Sequence, residues 1–175
     1  MKTVRLNKSD FKKNPDGYWS DYIGDKIEAG ADVSIEIEAN LGYVRFDYLS
    51  VKGSIIALAG SGIKAGSGIK AGWGIEAGEG IEAGWGIEAG LSITCKFTLN
   101  VAYRIFAGIC YWRVTVDDVD KTITCGKLER GTVEYGILKE IGMPDTATAV
   151  STKNDLSGKK VKVEIDGKSY NATIE

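Results

Sequence analysis

Histidine is absent from all 175 residues. That absence removes Ser-His-Asp and Cys-His nucleophile arrangements, and most zinc and non-haem iron sites, which lean on imidazole. Three cysteines remain, Cys95, Cys110 and Cys125, evenly and widely spaced, with none in a Cys-x-x-Cys pair. An odd number with no close spacing argues against a disulfide framework and for a reducing compartment. A nucleophilic thiol needs a neighbouring base, and the sequence offers no evident one. Glu76, Glu82 and Glu88 recur at one phase of a hexapeptide and could be read as carboxylates for acid–base chemistry. The simpler reading places them at the solvent positions of a strand ladder. The Gly-x-Gly pairs sit inside a repeat rather than between one strand and one helix, and no Gly-Lys-Ser/Thr follows them, so no phosphate loop is expected. The expectation is no catalytic residue, no metal and no cofactor.

Binding chemistry is better represented. Trp73 and Trp85 stand at the repeat position that elsewhere holds Ser61, Ser67 and Glu79. A site that accepts serine, glutamate and tryptophan belongs at a surface or a corner. Exposed tryptophans on a rigid face anchor protein partners well, although both could instead pack beneath the flanks. Trp73, Glu76, Glu82, Trp85 and Glu88 are therefore the candidate partner-binding residues. Tyr111-Trp112-Arg113 has similar composition.

The element that must position them is a hexapeptide repeat. From Ser61 the chain reads Ser-Gly-Ile-Lys-Ala-Gly twice, then Trp-, Glu- and Trp-Gly-Ile-Glu-Ala-Gly. Isoleucine holds 63, 69, 75, 81, 87 and 93; alanine holds 65, 71, 77, 83 and 89, and Cys95 continues that phase. Residues two apart share one face of a strand, so Ile and Ala point inward and the charge between them points out. Two glycines per repeat exclude a helix, at about 0.8–1 kcal/mol each. They are expected to supply the positive φ of tight corners. The fixed phase marks a stacked repeat rather than a disordered tract.

Three hexapeptides would close a triangular coil, and two a flattened one. The three-hexapeptide coil sets Lys64 over Glu82 and Lys70 over Glu88. The two-hexapeptide coil stacks Glu76 on Glu88, which repels, but also Trp73 on Trp85. Charge favours the triangular coil. The predicted fold is mainly β: a short left-handed, triangular hexapeptide-repeat β-solenoid, with a β-rich C-terminal region ending in a hairpin. The divisions are an N-terminal cap over 1–48, the solenoid over 49–96 and the C-terminal domain over 97–175.

In the flanks, a short helix is expected from Ser9 as N-cap through Lys13, then a turn at Asn14-Pro15-Asp16-Gly17. Alternation predicts strands over 33–37 and 44–48, and again over 97–103, 109–116, 122–125 and 132–135. The segment 137–141 reads as a strand or a helical turn. Val161, Val163 and Ile165, a turn at Asp166-Gly167, then Tyr170, Ala172 and Ile174 predict a hairpin.

Net charge is −2 and the pI about 5.4, giving no electrostatic reason for nucleic-acid binding. The stretch Met1–Leu6 has no apolar signal region, and no run approaches a membrane span, so a cytoplasmic protein is expected.

The Gly-Ile-Lys/Glu-Ala-Gly units, Arg104-Ile-Phe-Ala-Gly-Ile-Cys-Tyr-Trp-Arg113, Thr124-Cys-Gly-Lys-Leu-Glu129 and the terminal hairpin segment resemble hexapeptide tracts in small phage and prophage proteins of Gram-positive bacteria. The resemblance covers about residues 25–175 and brings no catalytic residue with it. Hexapeptide acyltransferases use a histidine and solenoid carbonic anhydrases use three, so neither activity fits. Small histidine-free proteins of mobile elements often act stoichiometrically, as anti-CRISPR proteins do. The resemblance thus implies a non-enzymatic viral protein that binds and inhibits a bacterial defence complex such as a Cas effector in the host cytoplasm. Two alternatives stand beside it: a self-assembling structural scaffold, hence a homo-oligomer, and a carboxylate-based enzyme on a solenoid.

Overall fold

The computed structural model describes residues 1–143, 160–165 and 168–173, and divides into two units, Met1–Pro144 and Asp145–Glu175. The first unit begins with β1 (Lys2–Leu6), β2 (Phe11–Lys13), β3 (Ser20–Tyr22), β4 (Val33–Ile37), β5 (Gly42–Phe46), β6 (Leu49–Val51) and β7 (Ile55–Ala57). The repeat follows as β8 (Ser61–Ala65), β9 (Ile69–Ala71), β10 (Ile75–Ala77), β11 (Ile81–Ala83), β12 (Ile87–Ala89) and β13 (Ile93–Cys95). It ends with β14 (Thr98–Ala107), β15 (Thr122–Cys125), β16 (Lys127–Tyr135) and β17 (Ile137–Glu140). The second unit holds β18 (Lys160–Ile165) and β19 (Lys168–Thr173), paired antiparallel with Val163 opposite Tyr170. These are the strands of the expected hairpin; Asp166, Gly167 and Ile174 lie outside the described residues.

The first unit is mainly β, and nearly all its strands pair in parallel. One sheet runs β1-β4-β7-β10-β13-β15-β17. The other runs β2-β3-β5-β8-β11-β14-β12-β9-β6, with β16 also on β14. The long β14 spans two stacks: Leu99 pairs with Ile81 of β11, and Ile105 with Ile87 of β12. Through the repeat every parallel partner lies three hexapeptides away: Ile63 with Ile81, Ile69 with Ile87, Ile75 with Ile93. Upstream the offset lengthens, by one position for Val44 with Ile63 and by two for Ile55 with Ile75 and Leu49 with Ile69.

The inward stripe is as the repeat dictates. Ile63, Ile69, Ile75, Ile81, Ile87 and Ile93 are buried, with the alanines and Cys95 beside them, in one continuous core. A fully buried isoleucine contributes about 1.5–3 kcal/mol, so six stacked ones supply much of the cohesion of such short strands.

The glycines act differently from expectation. None of those between Gly62 and Gly90 has positive φ. Their role is steric. A Cβ on Gly84 would run into the carbonyl of Gly66, and one on Gly90 into that of Gly72, each one level earlier in the stack. The first glycine of each hexapeptide meets the next level instead: a Cβ on Gly86 would lie 3.0 Å from the Arg104 carbonyl. Strands spaced about 4.8 Å apart leave no room for side chains where the backbone folds inward at the turns.

Two flank expectations are corrected. The helix from Ser9 is a single 3-10 turn, Lys8–Asp10, capped by Asn7, whose side chain accepts from the Ser9 N–H at 2.9 Å, and Phe11 then enters β2. The segment 109–116 forms no strand. Ile93 of β13 pairs directly with Ile123 of β15, so the loop between β14 and β15 has no partner strand left and Val114 is fully exposed. The segment Ile137–Glu140 is a strand.

Candidate binding surface

The three-hexapeptide offset holds in the turns as well as in the strands. Tyr103 N–H donates to the Trp85 carbonyl at 2.9 Å, and Trp85 N–H donates to the Ser67 carbonyl at 2.8 Å. Ser67, Trp85 and Tyr103 are therefore successive members of one column. Trp73 belongs to a different column, donating to Gly53 and accepting from Leu91. The two tryptophans are not stacked, as a two-hexapeptide coil would require.

The structure also separates the three glutamates. Glu76 lies in the seven-stranded sheet between Ile56 and Thr94. Glu82 pairs beside Lys64 and Asn100 on one stack, and Glu88 beside Lys70 and Phe106 on another. Lys64 Nζ meets Glu82 at 2.7 Å and Lys70 Nζ meets Glu88 at 2.5 Å. They form no common carboxylate ladder, because a hexapeptide period distributes successive copies over three stacks. Of the five expected binding residues, only Trp85 and Glu88 line the same groove.

That groove, about 740 Å³, lies along β9, β12 and the second half of β14. It is lined by the aromatics Tyr48, Trp85, Tyr103 and Phe106 and by the charged Lys70, Glu88 and Arg104. Trp85 is 68% and Tyr103 64% exposed. The sequence reading missed Tyr48, Tyr103, Arg104 and Phe106. The available signal was spacing: Tyr103 and Arg104 follow Trp85 and Gly86 at the same three-hexapeptide offset, outside the recognisable repeat.

A second aromatic group surrounds Trp73, which is 47% exposed. Its ring lies 6.3 Å from Trp112, and Trp112 meets Tyr111 edge-on at 5.5 Å. The β14–β15 loop thus folds Trp112 back over Gly90, and an Arg113–Asp120 ion pair braces the loop. Trp73 is partly covered, whereas Trp85 is open. On another stack of the repeat, Lys64 sits 4.5 Å above the Trp19 ring, so the N-terminal flank packs against the lysine of the Lys64–Glu82 pair.

No protein-family model, curated protein or solved structure matches this chain.

Cys95, Cys110 and Cys125 are free and buried. Burial, then the neighbouring Cys125 thiol, pushes Cys95 up to about 12. Burial, then the negative charge of Glu140, pushes Cys125 up to about 11. Both are protonated at neutral pH, and a thiol rather than a thiolate is a poor nucleophile. Among the described residues, no helix is long and apolar enough to cross a membrane.

Proposed function

We propose that this chain is a left-handed, triangular β-solenoid that works as a non-catalytic binding protein. Its partner is a bacterial defence complex of the Cas-effector kind, which it inhibits by occluding a nucleic-acid or protein surface. The observation that carries the binding reading is the open side of Trp85 and Tyr103, adjacent in one column and braced by parallel strands. Tryptophan, tyrosine and arginine dominate binding hot spots, and aromatics on a hydrogen-bonded backbone lose little freedom on docking. Strand pairing at a constant offset of three hexapeptides supports the triangular coil. The phage-protein resemblance supports the choice of partner. Engagement of Glu82 and Glu88 by lysines favours an aromatic contact over a carboxylate mimic of nucleic acid.

The test is a tagged pull-down from lysates carrying defined CRISPR systems, followed by size-exclusion chromatography. A Cas effector retained at fixed stoichiometry supports the reading. Elution as large self-assemblies with no effector retained overturns it in favour of a structural scaffold.

A further inference from the structure

Two turns of the repeat carry the same pattern of an aromatic, two glycines and a polar residue, and only one is filled. In the first, strand register aligns Tyr43, Gly62, Gly80 and Thr98. The half-buried Tyr43 ring lies across both glycines: a Cβ on Gly62 would come 2.9 Å from the ring, and one on Gly80 would strike the hydroxyl. The same Cβ on Gly80 would lie 2.7 Å from the Thr98 carbonyl and 3.1 Å from its hydroxyl, so the ring's polar tip ends beside Thr98. In the second, register aligns Tyr48, Gly68, Gly86 and Arg104. Here Tyr48 approaches Gly68, at 3.5 Å from a Cβ placed there, while a Cβ on Gly86 would meet within 4 Å, its chain neighbours aside, only Arg104 backbone. The unfilled length belongs to the groove that Trp85 and Tyr103 line.

The filled turn states what the open one fits. Its floor is two side-chain-free residues, which accept a flat ring. At its outer end the place of Thr98 is taken by Arg104, whose exposed guanidinium forms a long ion pair with Glu134 at 3.6 Å and keeps donors free for a further acceptor. A cation at that end is complementary to an acceptor or partial negative charge on the tip of the ring. We propose that the Gly68–Gly86 slot is a socket for a tyrosine side chain of the partner protein, its ring lying over the two glycines against Trp85 and Tyr103 and its phenol oxygen accepting from Arg104. This assignment rests on the binding function proposed above.

The probe is N-acetyl-tyrosinamide, titrated into the full chain labelled with 15N. Saturable shifts are expected at the Gly68, Gly86 and Tyr103 amides and the Trp85 indole. N-acetyl-phenylalaninamide, which lacks the oxygen, should bind about threefold more weakly. Arg104→Gln should abolish that difference. Trp85→Ser should weaken binding about tenfold, and it places in the column the residue the repeat already carries at Ser67. Absence of saturable shifts, shifts centred on Trp73 and Trp112, or equal binding of the two probes would overturn the socket. A Cas effector retained equally by wild type and Trp85→Ser overturns the docking role while leaving the functional reading intact. Probe binding with no effector retained overturns the functional reading and leaves the ring-binding slot. If Trp85→Ser instead dissolves a dimer of this chain, the occupant is a second copy and the partner-protein assignment fails.

Discussion

A methyl group on Gly84 would collide with the Gly66 carbonyl, which belongs to rigid strand-flanking backbone. Gly84→Ala is therefore expected to cost about 1–3 kcal/mol, and thermal melts should register about 2–4 °C per kcal/mol for a chain of this size. Gly74→Ala is the control, since its Cβ would meet nothing nearer than the Ser92 carbonyl at 3.3 Å. Equal losses in the two melts would contradict the steric role. The thiols give a second residue-scale expectation. Cys95 and Cys125 titrate near 12 and 11 in the fold, against an ordinary value of 9.0. Below pH about 9 both states hold their protons and this contribution to stability is complete. Above it the unfolded thiols ionise first, so stability falls as pH rises toward the folded values of about 11 and about 12. Replacing both cysteines by alanine should flatten that slope in denaturant titrations, and a slope left unchanged would refute the assignment. Alkylation by iodoacetamide at mildly alkaline pH should likewise be slow in the fold and fast in denaturant.

Among the elements, β11 is flanked on both sides, by β8 and β14, and its Ile81 is fully buried. Ile81→Ala should cost about 2–5 kcal/mol by chemical denaturation, the usual cost of an unfilled core cavity. The Lys64–Glu82 pair bridging β8 and β11 is partly exposed and should couple by only about 0.2–1 kcal/mol in a double-mutant cycle. These strands were legible in the sequence because Ile81 and Ala83 recur at a fixed phase and leave one inward face. The glycines were legible as turn residues but not as contact residues, since a collision with Gly66 exists only once levels are stacked. The loop over 108–118 was misread because Cys110, Trp112 and Val114 alternate like a strand. No sequence feature announces that β13 and β15 pair with each other and leave that segment no edge to join.

At the scale of the whole molecule, a hexapeptide phase is compatible with coils of two or three repeats, and the choice decides which side chains share a surface. With three, Trp85 is followed by Tyr103, Glu82 meets Lys64, and Trp73 stands apart with Trp112. The ring socket was not legible, because Tyr48, Gly68, Gly86 and Arg104 come from four levels and the step from Tyr48 to Gly68 is longer than the repeat's own. Every surface assignment rests on that register, and it can be measured directly. Paired cysteines would be introduced as Lys64→Cys with Glu82→Cys, or Lys64→Cys with Glu76→Cys, and treated with a thiol cross-linker spanning about 5 Å, the strand spacing. The buried native thiols should stay unreacted. Rapid, near-complete cross-linking of 64 to 82 with none of 64 to 76 is the expected result; cross-linking of 64 to 76 instead would contradict the three-hexapeptide coil and every surface built on it.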